Sequence, residues 1–185
     1  MKKFTTYLEL ASRYHVFVML NIYGLGKIAG GQFHRKNELP LEIAQQTLAE
    51  VNGFDLAWAF MGYSYAYILF IGLSQVLGAW LLLFNRTKLL GVAILVPILL
   101  NIIVFDAIFF ETYGALSSAL IYFTLLLVIL WLNKKQVILA MKSLMDFKTY
   151  ANTTTTTLLK KGVIVIIIMG SIFGIEQLLI SILGH

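Results

Sequence analysis

The sequence predicts an all-α membrane protein in which five apolar helices cross a bilayer. Three observations lead there. Of 185 residues, 59% are hydrophobic and only 12% charged, whereas a soluble domain carries about a quarter charged residues. The apolar residues fall in five runs, at 13–33, 57–84, 88–110, 114–133 and 162–183, each near or above the ~18 residues that a helix needs to span hydrocarbon. Threading these runs through a bilayer also sorts the basic residues. One side collects Lys2, Lys3, Arg13, Arg86, Lys88, Lys134, Lys135, Lys142, Lys148, Lys160 and Lys161, and the other only Arg35 and Lys36. Cytoplasmic loops carry the excess of Lys and Arg, so the N-terminus is expected inside and the C-terminus outside. The net charge of +5 is then mostly topology and contact with anionic lipid, and nucleic acid is not an expected partner.

The chain divides into a four-span core, 1–133, with an outer loop at 34–56, a basic-side segment at 134–161 and an additional span within 162–185. Met1-Lys2-Lys3 imitates the start of a signal peptide. Glu9 and Arg13 precede the apolar run and no small-residue cleavage site closes it, so the segment reads as a retained first helix. In the outer loop, Pro40 suits a first helical position. Leu41, Ala44, Leu48 and Val51 then share one face, and Asn52-Gly53 reads as the stop. This helix is either a lid over an outward-facing pocket or an interfacial helix on the bundle rim. The second run exceeds what a bilayer needs and is expected to tilt or project. Pro97 is expected to kink the third span. A short turn around Glu111-Thr112-Tyr113-Gly114 joins the third and fourth.

Beyond the fourth span, Val137, Met141, Leu144 and Met145 form an apolar stripe flanked by Lys135, Lys142 and Lys148, the pattern of an interfacial helix. Thr153 to Thr157 reads as a linker. The sequon Asn152-Thr153-Thr154 falls on the cytoplasmic side and is discounted. Ser74-x-x-x-Gly78 and Gly170-x-x-x-Gly174 are small-residue patterns that favour close helix packing.

The polar residues inside these runs are the functional candidates. Lys27 is a charge at membrane depth, which must snorkel, pair or line a wet cavity. At about 1.5 Å of rise per residue, Lys27, Asn101 and Glu176 lie roughly 20–21 Å from the cytoplasmic ends of their spans. Tyr67 lies at roughly 25 Å and Asp106 at roughly 27 Å. Asn21 and Gln75 form a deeper level at roughly 12–13 Å. Glu176 is the expected partner of Lys27, with Asp106 the alternative and Asn101 bonding into the same cluster. Such a cluster is either a polar pocket or an ion pair that fixes helix register, unless Lys27 and Glu176 snorkel separately. Tyr63, Tyr65 and Tyr67 crowd the outer part of the second span, as an aromatic belt or as the wall of a flat apolar site.

The sequence also excludes chemistry. It has no cysteine, hence no thiol relay or thiolate metal site. It has no Walker A, GxSxG or HExxH string. His15, His34 and His185 never pair at ligand spacing along one helix, which argues against bis-histidine haem or a di-metal centre. No catalytic residue, metal ligand or cofactor of its own is expected.

Gly24-Leu25-Gly26-Lys27, then Gly72-Leu73-Ser74-Gln75-Val76-Leu77-Gly78-Ala79 with Leu81-Leu82-Leu83 and Arg86-Thr87, then Gly91, Pro97 and Asn101 resemble the first three helices of the DoxX-like family of small polytopic membrane proteins. The resemblance covers about 13–133 and implies a four-helix DoxX-like bundle, to which the last span is an addition. Many members carry an acidic residue near the position of Gln75, here an amide. The resemblance implies a bacterial inner membrane. It links the family to a thiosulfate:quinone oxidoreductase, to oxidative-stress complexes and, in distant relatives, to receptor assembly or cargo export, without a shared catalytic residue. The expected function is a non-catalytic accessory or ligand-binding subunit whose outward-facing polar cluster comprises Lys27, Asn101, Asp106, Glu176, Tyr63, Tyr67 and Gln75. Quinone and lipid are the candidate ligands. Membrane lipid, a protein partner or a second copy are the candidate partners. The alternatives are the membrane subunit of a quinone-linked oxidoreductase and a small transporter, the latter weakened by the lack of internal repeats.

Overall fold

A computed structural model describes residues 2–110, 113–145 and 155–183. They form eight helices: α1 (Lys2–Ala29), α2 (Leu41–Ala44), α3 (Gly53–Gly62), α4 (Tyr65–Leu83), α5 (Lys88–Phe109), α6 (Tyr113–Leu132), α7 (Lys134–Met145) and α8 (Thr155–Leu183). Residues 1–141 and 142–185 make two compact units. Four helices are long and apolar enough to cross a membrane: α4, α5, α6 and, within α8, Leu159–Leu178. The chain is therefore an all-helical membrane protein. α1 has the length but is not among the four, because Arg13, Asn21 and Lys27 interrupt its apolar stretch.

In the first unit α1 packs on α4 and α6, α4 on α5, and α5 on α6, closing a ring of four helices. Val16 and Leu20 of α1 meet Ala79 and Leu82 of α4, Val92, Leu95 and Leu99 of α5, and Tyr122, Leu126 and Ile129 of α6 in one buried core. The outer faces are as apolar as the inner ones: Leu77, Leu100 and Ile121 are half exposed or more. Helices apolar all round suit a lipid surround.

Helices in lipid gain little from hydrophobic sorting and associate by close packing, which small residues permit. Two glycine crossings do this here. A Cβ at Gly72 would lie 2.8 Å from the Gly24 carbonyl oxygen, and one at Gly91 would lie 2.7 Å from that of Gly78. These glycines bring α1 onto α4 and α4 onto α5. Gly72→Ala is expected to cost about 1–3 kcal/mol through overpacking, measured by unfolding in mild detergent. Unchanged stability would mean that the crossing has slack.

At one end of the ring, Arg13 is buried beneath the C-terminus of α4. Its Nε donates to the Leu82 carbonyl at 2.6 Å, Nη2 to the Leu83 carbonyl at 2.5 Å, and Nη1 to Asn85 Oδ1 at 2.7 Å. Glu9 lies 3.6 Å from Arg13 and 2.6 Å from Lys88 Nζ. One side-chain cluster thus ties α1, the end of α4 and the start of α5.

Several sequence expectations change. The outer loop holds only one helical turn, α2, with no buried residue. Asn52 does not end a helix but starts one, its side chain accepting from the Asp55 amide at 2.9 Å, as an N-cap asparagine does. The long second run is not one tilted helix. It breaks at Tyr63 and Ser64 into α3 and α4, where side-chain-free Gly62 lies against the His34 backbone. Pro97 lies inside α5, as the expected kink requires, without ending the helix. α8 starts at Thr155, so Thr155 to Thr157 are helical, not linker. The stripe over 137–145 is a helix without buried residues, as expected of an interfacial one. Glu111, Thr112, Lys148, the sequon and His185 lie outside the described residues.

Candidate functional site

The first unit holds a partly open cavity of about 510 Å³ lined by residues of α1, α3, α4, α5 and α6, within the ~300–1,000 Å³ usual for small-molecule sites. Five of the seven sequence-predicted residues, Lys27, Tyr67, Gln75, Asn101 and Asp106, line it. Tyr63 does not. It lies at the break between α3 and α4, where its hydroxyl accepts from Lys36 Nζ at 3.0 Å. Glu176 belongs to α8 in the second unit, so the carboxylate that faces Lys27 within the bundle is Asp106.

Constant helix rise brings these groups together, and the side-chain lean of helices completes the arrangement. A helical side chain points back toward its own N-terminus. The Lys27 ammonium accordingly lies 5.9 Å from the Tyr23 ring centroid, about a turn below its own Cα. Bare Gly24 faces α4 at the level of the Gln75 Cβ. The Tyr23 and Tyr122 rings lie 6.1 Å apart between centroids, and both line the cavity with Ser118. Asn21, expected at that level, instead accepts from Trp80 Nε1 at 3.0 Å and donates to the Phe17 carbonyl at 2.7 Å.

Two members of the cluster lack partners. Lys27 is buried, yet within the first unit it has no carboxylate among the described residues within 4.0 Å. Gln75 is 1% exposed and its Oε1 has no hydrogen-bond partner. Leaving such a group unpaired costs about 1–3 kcal/mol, and native structures keep few of them. A register-fixing ion pair would close the salt bridge and fill the space beside it. Here the bridge is open and the space is a cavity.

None of the 34–56 residues lines the cavity, and the loop touches its lining through Phe54 on Phe110. His34 Nε2 lies 3.0 Å from Asp55 Oδ1, pinning the loop to the first turn of α3. Phe54 packs on Trp58 and Phe110 at 4.5 and 4.9 Å between ring centroids, and Trp58 packs edge-on against Phe33 at 6.1 Å. Phe33 and Phe110 are lining residues. Sequence reading missed this aromatic cluster and the Arg13 cluster alike. Trp58 and Phe110, close to the loop and to a span end, were the signals for the first. Three or more His, Asp or Glu side chains in metal-binding proximity do not occur among the described residues.

No family model matches the chain, and no solved structure does. It is similar to the uncharacterized protein YwoB of Bacillus subtilis (strain 168), with 36% identity over 130 residues, 69% of this chain and 79% of that one.

Proposed function

The chain belongs to the family of YwoB, and from that premise we propose that it is a ligand-binding membrane protein, a non-catalytic accessory subunit of DoxX-like type. In this reading α1 is the fifth span, because it packs beside α4 and α6 as an equal member of the ring. The N-terminus is cytoplasmic, the C-terminus outside, and the cavity opens toward the outer face of a bacterial inner membrane. The supporting observation is Lys27, a buried cation without a salt bridge beside a cavity large enough for a small molecule. An intramembrane ionisable residue of this kind marks a binding or transport pathway more often than a structural contact.

A quinone slot built from Tyr63, Tyr67 and Lys27 has less support. Tyr67 lines the cavity, whereas Tyr63 is engaged by Lys36 outside it. Extraction of the native protein with its surrounding lipid, followed by mass spectrometry of the intact complex, tests the ligand reading. The wild-type protein is expected to carry a stoichiometric small molecule that Lys27→Met loses by about tenfold or more, as for a lost hydrogen bond to a charged group. Equal occupancy in both proteins, or none in either, would overturn it.

A further inference from the structure

We propose that the cavity takes a neutral amphiphile with a hydroxyl-bearing head, of the monoacylglycerol class, and that Gln75 is the residue that reads the hydroxyl. This rests on the reading of the cavity as a ligand site.

Charge comes first. Lys27 of α1 and Asp106 of α5 bring one cation and one anion to the lining of the same cavity. In a poorly screened interior an anionic head would put a second negative charge beside Asp106, and a cationic head a second positive charge beside Lys27. A neutral head leaves the balance intact.

Hydrogen-bond capacity narrows the class further. Lys27 can only donate, ionised Asp106 can only accept, and the amides of Gln75 and Asn101 do both. The side-chain oxygen of Gln75 is buried with no hydrogen-bond partner among the described residues. Its terminal torsion is soft, so either end of the amide can turn to a ligand. A head with carbonyl oxygens alone would serve Lys27 but leave the Gln75 oxygen and Asp106 without a donor. A hydroxyl donates one hydrogen bond and accepts others, and two adjacent hydroxyls can satisfy Gln75 and Asp106 while accepting from Lys27.

The rest of the wall fits an acyl chain. Phe70, Ile71, Ile94, Ile98, Ile102 and Phe105 line it, and such surface favours an aliphatic body by the ordinary transfer free energy of buried methylenes.

The test uses the full chain in nanodiscs of a single phosphatidylcholine. Three probes share one dodecyl-length chain: 1-lauroylglycerol, laurate and dodecylammonium. Occupancy is read by mass spectrometry of the intact particle against probe concentration, with an empty nanodisc subtracted. The wild-type protein is expected to bind lauroylglycerol at least about tenfold more tightly than either charged probe. Gln75→Leu is expected to weaken that binding about tenfold, the equivalent of one lost hydrogen bond to a buried partner. If Gln75→Leu fails to fold, Gln75→Met serves in its place. Laurate or dodecylammonium binding as tightly as lauroylglycerol would overturn the neutral-head assignment and leave the ligand site standing. Lauroylglycerol binding unchanged in the Gln75 variant would overturn the role of Gln75. Failure of all three probes on wild-type protein that also carries no native molecule would overturn the ligand site itself.

Discussion

Arg13→Ala is expected to lower the unfolding free energy by about 3–5 kcal/mol, the usual cost of breaking a buried charged cluster from one side. The reason is geometric. The guanidinium caps the C-terminus of α4 through two backbone carbonyls and bonds Asn85 as well. The last carbonyls of a helix have no intrahelical donors, and the negative end of the helix dipole favours a cation there. Alanine removes all three bonds and opens a void at a buried position. Glu9 keeps Lys88 at 2.6 Å, so the loss falls mainly on the cap. Lysine restores the charge but not the planar fork of donors, so Arg13→Lys is expected to recover only part of the stability. Denaturant unfolding in mild detergent, followed by circular dichroism, measures both variants. An alanine variant within about 0.5 kcal/mol of wild type, the range of ordinary surface changes, would remove Arg13 from the stability account.

The second large effect carries the opposite sign. The double variant Lys27→Met/Asp106→Asn is expected to raise stability by about 1–4 kcal/mol, the gain seen when buried charges are replaced by neutral groups of similar size. It is also expected to empty the cavity of its ligand. Lys27 and Asp106 are both buried, and no contact within 4.0 Å joins them, so they contribute desolvation cost with little mutual attraction to offset it. Functional sites commonly hold such cost, and their removal stabilises while it disables. Unfolding in detergent and mass spectrometry of the intact protein read the two halves separately. A destabilised double variant would assign the pair to register, and a stabilised one that retains its ligand would move binding elsewhere in the cavity.

Much of this site was legible in the sequence. Lys27 and Asn101 could be placed at one height, with Asp106 a turn above them, because the α-helix rises by a fixed step per residue. Asp106 lines the same cavity of the first unit as Lys27, a grouping that height alone cannot make. Gln75 counted as a separate, deeper level, and that it lines the same cavity as Lys27 follows only from the packed helices. Arg13 counted only toward orientation, since its partners lie about seventy residues away. In the outer loop, Asn52-Gly53 satisfied the stop signal, yet asparagine also caps the start of a helix, and the fold used it so.

The sequence by itself determined the helical membrane class, the apolar segments and the polar residues stranded within them, because hydrocarbon tolerates no unpaired backbone and charges a penalty for every buried polar group. The tertiary structure alone decided which of those residues share a cavity, which find partners and which stay open. Those outcomes depend on helix azimuth and on the glycine crossings of α1 with α4 and α4 with α5. Azimuth and crossing are set by packing between distant segments, which linear spacing does not encode.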